Sequence, residues 1–103
     1  LGPVPITPVD TFAPAVPADV AAVAGATAVE LSWTRNFEAD FREYRIYRSI
    51  GEGQFVRIGE PTSTATYSDI TAPRSTPLRY RITAVDAAGN ESAPCEPVDV
   101  TLP

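Results

Sequence analysis

The sequence predicts an all-β fold, a two-sheet antiparallel sandwich of seven strands, and three observations carry that prediction. Leu78 to Ala84 alternates strictly, with Leu78, Tyr80, Ile82 and Ala84 on one face and Arg79, Arg81 and Thr83 on the other. Period two over a run rich in aromatic and β-branched residues is the mark of a half-buried strand. Shorter runs of the same kind recur along the chain, separated by Gly, Pro, Asn and Asp. No stretch carries convincing helical spacing. One ordinary domain fits in 103 residues.

Residues 1–16 form a proline-rich lead-in, and the sandwich is expected over 17–103. Pro3, Pro5, Pro8, Pro14 and Pro17 favour extended backbone and exclude a helix. Pro3-Val4-Pro5-Ile6-Thr7 resembles Pro97-Val98-Asp99-Val100-Thr101. The lead-in is therefore either a linker or the last strand of a preceding, similar domain. Ala18 to Val29 is alanine-rich, which suits a helix. Val20, Ala22 and Ala24 alternate, however, and Gly25 interrupts, so an edge strand over 18–24 is the preferred reading and a helix the second.

Val29, Leu31 and Trp33 point inward from the next strand. Residues 34–42 are a polar loop, with Phe37 and Phe41 expected to tuck over the end of the core. Residues 43–48 are a strand with Tyr44 and Ile46 inward. Gly51-Glu52-Gly53 is a turn. Gln54 to Ile58 is a short strand ended by Gly59, its register left open by the adjacent Phe55 and Val56. A loop over 60–65 and a short strand over 66–70 follow. After the Leu78 strand, Gly89-Asn90 is the tightest point of a turn. The last strand has Val98, Val100 and Leu102 inward, Asp99 and Thr101 outward.

Composition narrows function mostly by exclusion. Net charge is −5, which argues against nucleic acid and a polybasic membrane contact. All eight basic residues are Arg, and there is no Lys, His or Met. Schiff-base, Walker-A, Ser-His and Cys-His chemistries are thereby excluded, as are His-ligated metals. A single cysteine, Cys95, forms no internal disulfide and is expected as a packed or partly exposed thiol. The longest uncharged stretch, Val20 to Val29, is too short to cross a bilayer. Neither end carries a signal-peptide or lipidation pattern, so any targeting segment is expected outside these residues. No cofactor and no enzymatic activity are expected.

These motifs resemble a fibronectin type III domain, an immunoglobulin-like sandwich. Trp33 in Val29-Glu30-Leu31-Ser32-Trp33 matches the family's buried tryptophan. Tyr44-Arg45-Ile46-Tyr47-Arg48 matches its third strand and Tyr80 to Asp86 its sixth. Asp86 to Pro94 is similar to the sixth-to-seventh turn of bacterial members. The likeness covers about residues 14–102. Two positions depart from the pattern. Leu78 stands where the family usually has a tyrosine whose hydroxyl bonds back to the crossover, so the strand is expected to anchor by apolar contact alone. Ala72 stands at the crossover leucine, with Ile70 a substitute. No Arg-Gly-Asp occurs.

The resemblance implies a non-catalytic spacer in a larger bacterial protein, secreted or held in the cell envelope. Its partners would be neighbouring domains of the same chain. The alternative is a module that binds a protein or a glycan. Arg45, Tyr47, Arg79 and Arg81 should project from one sheet face, near Glu43 and Asp99. Arginines beside an aromatic can hold an anion or stack on a sugar. The blander reading is a solvated face whose arginines pair with acids. The loop tips, with Asn36, Phe37, Glu38, Asp40, Asp86, Asn90 and Glu91, are a weaker candidate. They lack regular cation-ligand spacing, and Asp86 and Asn90 suit turn formation, Asn90 by tolerating positive φ.

Overall fold

A computed structural model describes residues 13–103, and the possible repeat at residues 3–7 lies outside them. The strands are β1 (Ala18–Ala24), β2 (Val29–Thr34), β3 (Phe41–Ile50), β4 (Val56–Thr62), β5 (Thr66–Asp69), β6 (Pro77–Asp86) and β7 (Val98–Thr101). They form two sheets, ordered β1-β2-β5 and β4-β3-β6-β7. Neighbouring strands pair antiparallel. The alanine-rich stretch is thus a strand: it lies on a sheet edge, where β2 satisfies its backbone and outweighs helix propensity.

The alternating residues meet between the sheets. Val29, Leu31 and Trp33 of β2 pack with Tyr44 and Ile46 of β3 and with Leu78, Tyr80, Ile82 and Ala84 of β6. Trp33 meets Tyr44 edge-on, ring centroids 5.1 Å apart, a favoured aromatic geometry. Leu102 closes one end. Phe41 lies against Tyr44, with centroids 4.5 Å apart, as its place beside the core requires. Phe37 does not tuck in: it is 84% exposed at the tip of the β2–β3 loop.

β4 departs most from expectation. It runs to Thr62, and Gly59 lies within it instead of ending it. Gly59 adopts φ of +65°, and a Cβ there would stand 1.9 Å from the Tyr67 hydroxyl. Glycine therefore lets the strand turn under Tyr67 and continue. The register resolves as well. Ile58 faces Ile46 across β3 and packs on the core, while Phe55 lies just before β4, beside Arg79 and Arg81.

The β5–β6 crossover also differs. Ile70 is 77% exposed and takes no core position, whereas Ala72 packs on the core. The β6–β7 turn is built on Asp86. Its carboxylate accepts from the backbone N–H groups of Ala88 and Asn90 and from the Asn90 side chain. The positive φ falls on Gly89, at +90°, and not on Asn90.

Candidate binding face

The outward residues of β3 and β6 lie side by side by register. Arg45 pairs with Thr83, Tyr47 with Arg81 and Ser49 with Arg79, while Arg57 of β4 flanks Tyr47 and Asp99 of β7 flanks Arg79. All four sequence-designated residues, Arg45, Tyr47, Arg79 and Arg81, therefore share one face. They do not form one constellation.

Arg45 and Tyr47 converge on Glu91, a residue the sequence placed among the loop tips. An isolated antiparallel bridge between Val85 and Glu91 folds the turn back over the sheet. The Glu91 carboxylate then accepts from the Tyr47 hydroxyl, from Thr83 Oγ1 at 2.6 Å and from Arg45 Nη1 at 3.1 Å. Glu43 sits 3.6 Å from Arg45 Nε on its other side. Burial works against ionisation of Glu91. The hydrogen bonds from Thr83 and Tyr47 and the Arg45 charge outweigh it and hold the carboxyl below its ordinary range. Burial, reinforced by Glu91, pushes the Tyr47 phenol up.

Arg81 and Arg79 follow a different logic. The Arg81 guanidinium lies 4.0 Å from the centre of the Phe55 ring and that of Arg79 5.2 Å from it, both within cation–π reach. Neither has an acid within ion-pair distance among the described residues. Arg79 reaches Ser49 Oγ only at 3.4 Å and borders a depression shared with Glu52 and Asp99. Arg81 instead lines a second concavity of about 260 Å³ with Tyr47, Phe55 and Glu91. Phe55 was invisible as a site residue because its strand register was undetermined.

A second carboxylate network lies between the sheets, and sequence reasoning missed it. Asp69, at the end of β5, is 1% exposed. Its Oδ2 accepts from the Tyr80 hydroxyl at 2.6 Å and from Arg48 Nη1 at 2.8 Å. Its Oδ1 accepts from Thr71 N–H and Oγ1 at 3.0 and 2.7 Å. Burial opposes its ionisation, but the Tyr80, Thr71 and Arg48 hydrogen bonds prevail and keep its carboxyl below the usual value. Burial and the Asp69 charge raise the Tyr80 phenol well above its ordinary value. β6 therefore does not anchor by apolar contact alone. Leu78 is fully buried, and the hydroxyl that it lacks is supplied one inward position later by Tyr80.

The loop end has its own contacts. Glu38 accepts from the Ala15 backbone N–H at 2.9 Å and from Asn36 Nδ2 at 3.0 Å. Asn36 Nδ2 also donates to the Ala15 carbonyl at 2.8 Å. The Asn36 N–H donates to the buried Tyr44 hydroxyl, which in turn donates to Asn36 Oδ1. The Ala15 bond holds the Glu38 carboxyl below its ordinary range against the cost of burial. Ala87 N–H donates to the Asp40 carbonyl, tying the two loops together. Among the described residues no group of three or more His, Cys, Asp or Glu is placed to hold a metal ion. Cys95 is packed: its Sγ accepts from the Ile82 N–H, and burial raises the thiol.

The sheet order, the buried Trp33 and the absence of helix among the described residues define a fibronectin type III fold. Solved structures bear this out. An Fn3-like protein from Clostridium thermocellum superposes with a TM-score of 0.74 at 23% identity, over 89% of this chain and 96% of that one. The fn3 domain of human contactin 1 superposes at 0.76 with 12% identity, over 98% and 88%. No family model matches the sequence. Bacterial enzymes contain related segments. One is the alpha-amylase of Niallia circulans, 42% identical over 97% of this chain and 7% of that protein. Another is the amylopullulanase of Thermoanaerobacterium saccharolyticum, 38% identical over 81% and 6%. A third is exoglucanase B of Cellulomonas fimi, 33% identical over 92% and 8%. The chain thus spans less than a tenth of the length of these relatives.

Proposed function

We propose that this chain is a non-catalytic spacer module of a larger bacterial enzyme that acts on polysaccharides outside the cell, exported or held at the envelope. The observation that carries this reading is the clamp on the lead-in. Asn36 and Glu38 hold both the N–H and the C=O of Ala15, and Asn36 is itself fixed to Tyr44 in the core. The clamp fixes the point at which the chain joins a rigid sandwich, and that is what a spacer needs in order to set the position of a neighbour. Its partners are the flanking domains of the same polypeptide.

Three further features support the reading. The related segments are small parts of large enzymes. Glycoside hydrolysis needs one carboxyl with a raised pKa, whereas Asp69, Glu91 and Glu38 are all lowered and surrounded by donors. A net charge of −5 is unsuited to nucleic acid.

The test is to replace the module, in its parent enzyme, with a Gly/Ser linker of matched reach. Turnover of a short soluble substrate is expected to stay unchanged, while small-angle scattering shows a broader distribution of interdomain distances. A collapse of turnover on the short substrate would assign the module a catalytic part and overturn the proposal. The concavity beside Phe55 favours a second reading, in which the Arg45, Tyr47, Arg79 and Arg81 face also binds a ligand.

A further inference from the structure

We propose that the concavity between Phe55 and Glu91 is a binding site for one sugar ring of a neutral glucan, with Arg81 as its donor, Glu91 and Tyr47 as its acceptors, and Phe55 and Pro94 as its apolar floor. The site deepens the second reading above, and the choice of a glucan rests on the reading of the parent protein as a polysaccharide-acting enzyme.

Size comes first. About 260 Å³ lies just below the roughly 300–1,000 Å³ of drug-sized sites, which suits one ring and not several. Charge comes next. Glu91 is an ionised carboxylate on one wall and Arg81 a guanidinium on another. An anion would meet Glu91 and a cation would meet Arg81, so a formally charged ligand is disfavoured either way. A neutral polyol fits both walls. One hydroxyl accepts from Arg81 while its neighbour donates to Glu91, and the C–H faces of the ring lie on Phe55 and Pro94.

Available hydrogen-bonding capacity points the same way. Arg81 has no hydrogen-bond or ion-pair partner among the described residues, and its Nε is buried with none. The Phe55 ring holds the guanidinium in place from one side. Glu91 Oε1 takes one donor, from Arg45, and so keeps a lone pair, while Tyr47 uses its hydroxyl hydrogen on Glu91 and keeps its oxygen as an acceptor. Glu91 is immobilised by three donors from β3 and β6. Little ordering remains to be done when a ligand arrives.

The test is a ¹H–¹⁵N NMR titration of the whole chain, following Arg81 Nε–H and the amides of Tyr47, Arg81 and Glu91. The probes are maltohexaose and cellohexaose, with mannohexaose as the contrasting neutral sugar. Shifts confined to this face are expected with at least one glucan, with a Kd on the order of 1 mM for a single-ring site. Arg81→Ala and, separately, Phe55→Ala should each weaken binding about tenfold or more, with melting curves confirming that both variants fold. Shifts with mannohexaose and neither glucan would keep a sugar site but overturn the glucan assignment, while leaving the reading of the parent as a polysaccharide-acting enzyme intact. No shift with any of the three sugars would overturn the site itself while leaving the spacer reading intact.

Discussion

Asp69 and Glu91 are the same kind of centre in two different places. Each is a carboxylate held by a tyrosine, a threonine and an arginine, all from other strands except Thr71, which lies two residues after Asp69. Each is kept below its ordinary pKa by those donors in spite of burial. Asp69 is sealed between the sheets, while the Glu91 side chain remains 31% exposed on an outer face. The donors are alike, but what their loss would cost is not. In the interior an unpaired charge cannot turn to water, so the network fixes structure. On the face water can substitute, so the same arrangement costs little to disturb and keeps capacity for a ligand.

The largest difference should appear on deleting each centre. Asp69→Ala strands the Tyr80 hydroxyl and leaves Arg48, only 14% exposed, without its acid. It should destabilise by about 3–5 kcal/mol in urea denaturation, close to the limit that a domain of this size can bear. A loss below about 1 kcal/mol would show that the two carboxylates are energetically equivalent and that the distinction fails.

Acidity should separate the two next. The folded pKa of Asp69 lies below the ordinary 3.8. The native state therefore holds fewer protons than the unfolded state between those values. Its stabilisation is complete above the unfolded pKa and is lost as pH falls through the folded one. Melting temperature should drop steeply below about pH 4 in the wild type and markedly less in Asp69→Asn. Tyr80 has the opposite sign. Its folded pKa is raised above 10.0, so the stability it contributes is present below that pH and is lost as pH rises toward the folded value. Tyr80→Phe should flatten this alkaline limb. Equal slopes in variant and wild type would remove the pair from the stability account.

The smallest effect belongs to Glu91→Gln. It keeps the shape of the side chain but removes a partly exposed charge and turns one acceptor oxygen into a donor. Water can offset that loss on this face, so the change should stay within about 1 kcal/mol by thermal melting. A loss as large as that of Asp69→Ala would make the outer cluster a structural element as well.

Periodicity alone was enough for the strands that build the core, because a buried face writes itself into every second residue. Val29-Leu31-Trp33, Tyr44-Ile46 and Leu78-Tyr80-Ile82-Ala84 are read directly and prove buried. The outward side of those runs is legible for the same reason, which is why Arg45, Tyr47, Arg79 and Arg81 fall on one face. β4 was harder, since Gly59 reads as a strand end until Tyr67 is seen standing over it. Phe55 and Phe37 show the same limit from two sides: an aromatic outside a clean alternation can cover a face or stand in solvent, and local sequence does not choose.

Alternation, turn residues and composition thus determined the seven-stranded sandwich of the described residues. Tertiary structure alone decided which polar groups meet. Asp69 gathers Arg48, Thr71 and Tyr80, and Glu91 gathers Arg45, Tyr47 and Thr83. Most of these partners lie on other strands or across a crossover. No period in a sequence records such encounters, because they are set by which strands become neighbours and how their loops fold back over them.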